Sequence, residues 1–268
     1  MIDIHNHLLH ALDDGSPDLE TSVAMARLAV ADGITHMVCT PHASSAFTFA
    51  PEKIEQRLEE LRSALRTADI PLTLGRGCDF HISYDNVRDA LANPKKYTLN
   101  GGEYLLIELP DLNIPPAMDQ LLYDLRLAGM TPILTHPERN PALQRDSSRL
   151  RSWLEGGLLV QVTANSVTGG MGKTAQKMAH ELLSKHWVHF LASDAHNTST
   201  RPPGLTAAKA WVDRRCGSHY AELLTTTNPA AAFHSAPLPE QEEMQDLEEE
   251  FVDESAQPWW KRLFERLN

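Results

Sequence analysis

Seven short apolar runs, separated by longer stretches of helical spacing, constrain this chain more than any other feature. The runs are Ile2–His5, 35–40, 72–80, 104–109, 132–135, 158–163 and 188–193. Between them lie stretches such as Asp18–Ala31, with Leu19, Val23, Ala26 and Val30 near helical spacing, and Pro51–Thr67, with Ile54, Leu58, Leu61 and Leu65. Residues 116–128, 174–185 and 205–215 read the same way. Strands alternating with helices imply a parallel α/β architecture. The strand runs are apolar throughout rather than alternating, as expected of a sheet covered on both faces. Periodicity leaves an open sheet and a closed barrel equally compatible.

The residues that follow these runs sort in an unusual way. After the first come His5, His7 and Asp14; after the second, His42. The third ends at Asp79 and the fourth at Glu108. The fifth runs into THPER, with His136 and Arg139, and the seventh into SDAH, with Asp194 and His196. The sixth offers the polar Gln161, Thr163 and Asn165. One histidine or carboxylate after a strand is ordinarily structural, a backbone partner or a helix cap. Six strand ends delivering His, Asp or Glu to one rim is a different matter, because parallel α/β folds place their ligands at the C-terminal ends of the strands.

Nitrogen and oxygen donors without a thiolate favour manganese, zinc, iron, cobalt or magnesium. Nine candidate ligands (His5, His7, Asp14, His42, Asp79, Glu108, His136, Asp194, His196) exceed what one ion takes and suit two or three. Such a cluster lowers the pKa of a shared water and clamps the oxygens of an in-line displacement. His5-x-His7 presents two imidazoles on one face of a strand. Arg139 and Arg201 add guanidinium forks suited to a phosphate. Glu138 reads as a turn-positioning residue. His10 and His81 stand beside the constellation, and the other histidines lie off it.

Other chemistries fit poorly. A cysteine phosphatase needs an arginine six residues after its nucleophile; Ser45, Tyr84 and Glu222 stand there after Cys39, Cys78 and Cys216. A G-x-S-x-G elbow is absent, and GGMGK at 169–173 lacks phosphate-loop spacing. Three widely spaced cysteines read as free thiols in a reducing compartment. No run approaches the roughly 20 apolar residues of a membrane span, and the first strand starts at once, so the expected location is the cytoplasm. The net charge of −12 is concentrated: residues 240–255 carry nine acidic and no basic side chains, and without residues 240–268 the rest sums to −5. With no basic stripe, nucleic acid is not an expected partner.

The segments DIHNH, DDG, TPH, IELP, THPER, QVTANSVTGGMGK and SDAHN followed by RPP together resemble the polymerase and histidinol phosphatase (PHP) superfamily. Within it they are most similar to the metal-dependent protein-tyrosine phosphatases of bacterial capsule and exopolysaccharide gene clusters, over residues 1–235. The resemblance implies a distorted (β/α)7 TIM-like barrel with a C-terminal extension and three metals, manganese first among them. The first ion would take His5, His7, Asp79 and Asp194, the second Asp79, Glu108 and His136, the third Asp14, His42 and His196. Arg139, Arg201 and His136 become the catalytic candidates, with both arginines binding phosphate. The implied substrate is phosphotyrosine on a protein, often the tail of a bacterial tyrosine kinase at the inner face of the membrane. Histidinol phosphate, or a non-catalytic metal-binding regulator, is the alternative. Asp79 departs from the family's usual glutamate at the bridging position, which implies a metal more easily lost there.

The expected division is a barrel over 1–237, then an acidic linker and short amphipathic helix over 238–268. In the latter, Trp260, Leu263, Phe264 and Leu267 share a helical face. Residues 258–268 would dock on a membrane surface or on protein.

Overall fold

A computed structural model describes residues 1–110 and 114–245. The strands are β1 (Ile2–Asn6), β2 (His36–Cys39), β3 (His42–Ala43), β4 (Thr73–Arg76), β5 (Asp79–His81), β6 (Tyr104–Glu108), β7 (Thr131–Thr135), β8 (Leu159–Thr163) and β9 (Phe190–Ala192). All pairings are parallel, in the orders β1-β2-β4 and β3-β5-β6-β7-β8-β9. One of the seven expected runs, the third, is therefore split in two, and the second is followed, past Pro41, which has no N–H for the ladder, by the separate short strand β3. The third is interrupted at Gly77, where a Cβ would sit 2.7 Å from the Leu99 side chain. Gly77 N–H to Cys39 O (2.8 Å) and Asp79 N–H to Pro41 O (3.2 Å) carry the pairing across the break.

The wall closes on itself. Past β9, Asp194 N–H donates to His5 O and His7 N–H to Ala195 O, both at 2.8 Å, and Asn6 bridges Ala195. The architecture is thus the distorted seven-stranded barrel, each break lying in a wall that stays continuous. An apolar cluster that includes Ile2, Ile4, Leu106, Ile133 and Phe190 fills one end. A larger cluster packs the strands against the helices.

The helices are α1 (Leu19–Ala31), α2 (Pro51–Thr67), α3 (Tyr84–Ala92), α4 (Met118–Leu127), α5 (Pro141–Arg145), α6 (Ser148–Glu155), α7 (Ala164–Val167), α8 (Lys173–Ser184), α9 (Thr206–Cys216), α10 (Ser218–Glu222) and α11 (Asn228–His234). The five expected helices correspond to α1, α2, α4, α8 and α9. The six others span nine residues or fewer, too short for a 3.6-residue period to stand out. Asp18 caps α1 by accepting from Thr21 N–H.

Residues 238–245, expected in the solvated acidic extension, stay on the barrel. Gln241 and Asn228 exchange side-chain hydrogen bonds, Glu242 pairs with His186 at 2.8 Å, and Gln245 N–H donates to Lys185 O. The amphipathic segment 258–268 lies outside the described residues. Among the described residues no helix is long and apolar enough to cross a membrane.

Asp3 pins the barrel seam. Its fully buried carboxylate accepts from Ser193 N–H (3.1 Å), Ser193 Oγ–H (2.6 Å) and His5 N–H (3.3 Å). Asp3→Ala leaves three buried donors without an acceptor, and urea denaturation of the metal-free protein is expected to show a loss of about 2–4 kcal/mol. Asp3→Asn keeps an acceptor oxygen and should lose less.

Candidate metal centre

β1 and the residue that follows it supply two imidazoles, His5 and His7, through a local irregularity. The β1–β2 register shifts between Asp3 and Asn6, so three steps on β1 oppose two on β2. Such a bulge re-aims a side chain. Ile2 and Ile4 pack in the barrel's apolar plug, yet His5, one residue on, faces Asp79 with Nε2 at 3.4 Å from Oδ2. Asn6 turns away, its Nδ2 donating to Val38 O, and His7 returns to the mouth with Nε2 at 3.5 Å from Asp194 Oδ1.

The expected ligands converge here. His42 Nδ1 lies 3.2 Å from Asp79 Oδ2 and 3.7 Å from Glu108 Oε2, and its Nε2 is 3.5 Å from Asp14 Oδ1. His136 Nε2 is 3.6 Å from Glu108 Oε1, and His196 Nε2 is 3.6 Å from Asp14 Oδ1. Four groupings have their donor atoms within 4.8 Å of one another: His7, Asp14, His42 and His196; His5, Asp79 and His136; His5, His7 and Asp194; and His42, Asp79 and Glu108. The third ion's expected set recurs with His7 added. Glu108 falls with His42 and His136 with His5, rather than both in one set. His10 and His81 belong to no grouping among the described residues; His10 instead pairs with Glu60 at 3.1 Å.

The fit to a cation rests on unanswered donors. His5 Nε2, His7 Nε2, His42 Nδ1 and Asp79 Oδ2 are buried without a hydrogen-bond partner. Buried polar atoms are rarely left so, and these are the atom types that bind hard or borderline divalent ions. Their electrostatics agree. Burial opposes the charge of Asp79 and Asp194, yet the imidazoles beside them, His5 foremost, hold both carboxyls well below the usual range. Burial and the Asp79 charge push Glu108 up to about 7. Burial opposes a proton on His7, but Asp13 and Asp194 raise it to about 10, whereas burial and Arg139 push His136 down to about 3. Burial acts on every one of these groups, and the charges beside each decide the direction in which it moves.

Two of the candidate ligands sit on strained backbone. His136 has φ of 32° and Asp194 φ of 51°, left-handed values that cost non-glycine residues about 1–3 kcal/mol each. His136 also precedes Pro137, which further restricts it. Glu138 holds the turn behind it: its buried Oε1 accepts from Ser166 Oγ–H (2.6 Å) and Thr163 N–H (3.1 Å). Arg139 and Arg201 both donate to Asp194 Oδ2, the latter at 2.6 Å. Asn197 Oδ1 gathers the N–H groups of Ser199, Thr200 and Arg201, which fixes the loop that carries Arg201. A recess lined by Glu108, Leu109, Thr135, His136, Arg139 and Asn140 opens beside the cluster. Burial pushes the Cys39 and Cys78 thiols up, away from nucleophilic use.

Two residues that no ligand pattern singles out orient His5 and His7. Asp13 Oδ2 accepts from His7 Nδ1 at 2.7 Å, and Gln161 Oε1 from His5 Nδ1 at 2.9 Å. The doubled aspartate of DDG and a glutamine within the sixth run are their only sequence traces.

The family model for capsular polysaccharide synthesis, CpsB/CapC, matches residues 1–234. The tyrosine-protein phosphatase YwqE of Bacillus subtilis is 37% identical over 226 residues, 84% of this chain and 89% of that protein. The tyrosine-protein phosphatase CpsB of Streptococcus pneumoniae is 28% identical over 85% of this chain and 96% of its own length. A crystal structure from work on YwqE and CpsB, described there as metal-dependent tyrosine phosphatases, superimposes with a TM-score of 0.86 at 34% identity, covering 92% of this chain and all of that one. Dihydropyrimidinase from Brevibacillus agri shares the fold at 12% identity, with a TM-score of 0.51 over 91% of this chain and 73% of that one. The chain belongs to the CpsB/CapC family.

The turn that returns Asp13 and Asp14 to His7 has no room for a side chain. A Cβ on Gly15 would lie 2.3 Å from His7 O and 2.4 Å from His7 Cβ. Gly15→Ala is expected to displace both aspartates and to lower bound divalent metal, measured by mass spectrometry after dialysis, while far-UV circular dichroism stays close to wild type. Full metal content in that variant would contradict this.

Proposed function

We propose that this chain is a metal-dependent tyrosine-protein phosphatase of the YwqE and CpsB type, acting in capsule or exopolysaccharide regulation. Its substrates are phosphotyrosine proteins, a bacterial tyrosine kinase foremost, met at the cytoplasmic face of the membrane. Two or three divalent ions, manganese first, are held by His5, His7, Asp14, His42, Asp79, Glu108, His136, Asp194 and His196. The observation that carries this reading is the set of buried, unpartnered donor atoms gathered at the barrel mouth. The names of the relatives supply the substrate class.

The chain's own residues have separable tasks. Divalent ions, when bound, activate water and neutralise charge on phosphoryl oxygens. Asp194 Oδ2 holds one N–H of each arginine and so aims both forks. Arg201 Nε is buried without a partner, which leaves a donor for a phosphoryl oxygen. The recess bounded by His136 and Arg139 admits that group to the cluster. Phe47 lies parallel to His42, ring centroids 5.9 Å apart, and gives the rim an aromatic surface for a tyrosyl ring.

Phosphate release from a phosphotyrosine peptide and from histidinol phosphate, each with Mn²⁺ and with chelator, tests the reading. The expected result is preference for the peptide, loss of activity with chelator, and a fall of about 10²–10³ in kcat/KM for Arg201→Ala. Preference for histidinol phosphate, or activity that survives chelation, would overturn it.

A further inference from the structure

Tyr84 is 80% exposed, more than any other large apolar side chain among the described residues. A single exposed ring is ordinary on a protein surface; the place of this one is not. Ile82 N–H donates to Glu108 O at 3.0 Å, so the chain leaves β5 beside the recess that Glu108 lines, and Tyr84 follows two residues on. Ser83 caps α3 by accepting from Asn86 N–H at 3.3 Å, which makes Tyr84 the first residue of that helix. Asn86 Nδ2 donates to His81 O and to Ala43 O, each at 2.9 Å, and so staples the start of α3 to the ends of β5 and β3. The turn after β3 closes with Ser44 N–H donating to Phe47 O at 3.0 Å. One side-chain amide thus joins the two segments that carry Phe47 and Tyr84. The Arg88 guanidinium lies 5.6 Å from the Tyr84 ring centroid and pairs with Asp85 at 3.1 Å, which braces the ring without covering it.

We infer that Tyr84 is a specificity residue: with Phe47 it forms an aromatic shelf at the rim, on which the polypeptide flanking the phosphotyrosine lies. The inference rests on the phosphatase reading above and names what the rim recognises, the chain beside the phosphotyrosine rather than the phosphate. A phosphotyrosyl group held at Arg139 and Arg201, with its ring at Phe47, has its own main chain at the rim. Each flanking residue then adds about 3.3–3.6 Å of reach, so the first few pass over the shelf. The occupant is the substrate protein itself, because the shelf is continuous with the recess through Glu108 and with Phe47 through Asn86. Tyrosine suits this task. It offers a large rigid face at little cost in side-chain freedom, and its hydroxyl can stay in water. A phosphate ester without a flanking chain gains nothing from it.

The test compares two substrates of the Mn²⁺-loaded full-length protein: a phosphotyrosine peptide, and free phosphotyrosine, which has the same ring and phosphate but no flanking chain. Tyr84→Ala is expected to lower the ratio of kcat/KM for the peptide to that for free phosphotyrosine by about 5–20-fold, through a higher KM for the peptide. Tyr84→Phe keeps the ring and should hold the wild-type ratio. The side chain is exposed, so thermal unfolding of both variants should match wild type, which separates lost recognition from lost folding. An unchanged ratio in Tyr84→Ala, a fall carried by kcat rather than KM, or a Tyr84→Phe variant as poor as Tyr84→Ala would overturn the shelf and leave the phosphatase reading standing. A wild type that hydrolyses neither substrate would overturn both.

Discussion

Charge of one sign, gathered where water is scarce, is the constraint from which the rest of this structure follows. The side chains of Asp13, Asp79 and Asp194 are at most 2% exposed, with Glu108 beside them and Asp14 at the mouth. Two guanidinium groups answer part of that charge, and both act on one carboxylate, Asp194. Like charges at such spacing in a low-dielectric setting oppose folding unless cations or protons intervene. The barrel meets this by rigidity. Its seam sets Asp194 directly against His5 and His7 through backbone hydrogen bonds, and an apolar plug fills the far end. The mouth cannot relax outward to separate its carboxylates without breaking the seam.

The same rigidity accounts for strain at two of the candidate ligands. His136 adopts left-handed backbone immediately after β7, and Asp194 two residues after the end of β9, where the chain must leave the wall while the side chain still points inward. Neither is a glycine, the residue that takes this conformation at least cost, although aspartate and histidine adopt it more readily than most others. The neighbouring hydrogen bonds, Glu138 to Ser166 and Thr163 on one side and the Asn197 loop on the other, hold these turns in place. Precision at the site is thus supported by side chains that never touch the cluster.

Much of this was legible in the sequence, for a physical reason. A parallel barrel exports the ends of its strands to one rim, so residues far apart in sequence meet there if each follows an apolar run; His5, His42, Asp79, Glu108, His136 and Asp194 all do. Features that depend on neighbours rather than on period were hidden. The bulge that turns His5 inward leaves no mark in IDIHN. The splitting of the third run at Gly77 reflects the proximity of Leu99, which no local pattern encodes. Asp13 and Gln161 touch the Nδ1 atoms of His7 and His5 while the Nε2 atoms face the cluster, and a search for ligand patterns passes over such residues. The short helices α3, α5 and α6 lack enough turns to display a face, and the hold of residues 238–245 on Lys185, His186 and Asn228 is a tertiary match that acidic composition conceals.

Anomalous X-ray diffraction from crystals grown with Mn²⁺, collected on both sides of the manganese edge, tests the central claim most directly. The account predicts anomalous peaks at the barrel mouth, each touching His5 Nε2, His7 Nε2, His42 Nδ1 or Asp79 Oδ2. A mouth without peaks in metal-replete crystals, with those atoms paired to one another or to water, would contradict it.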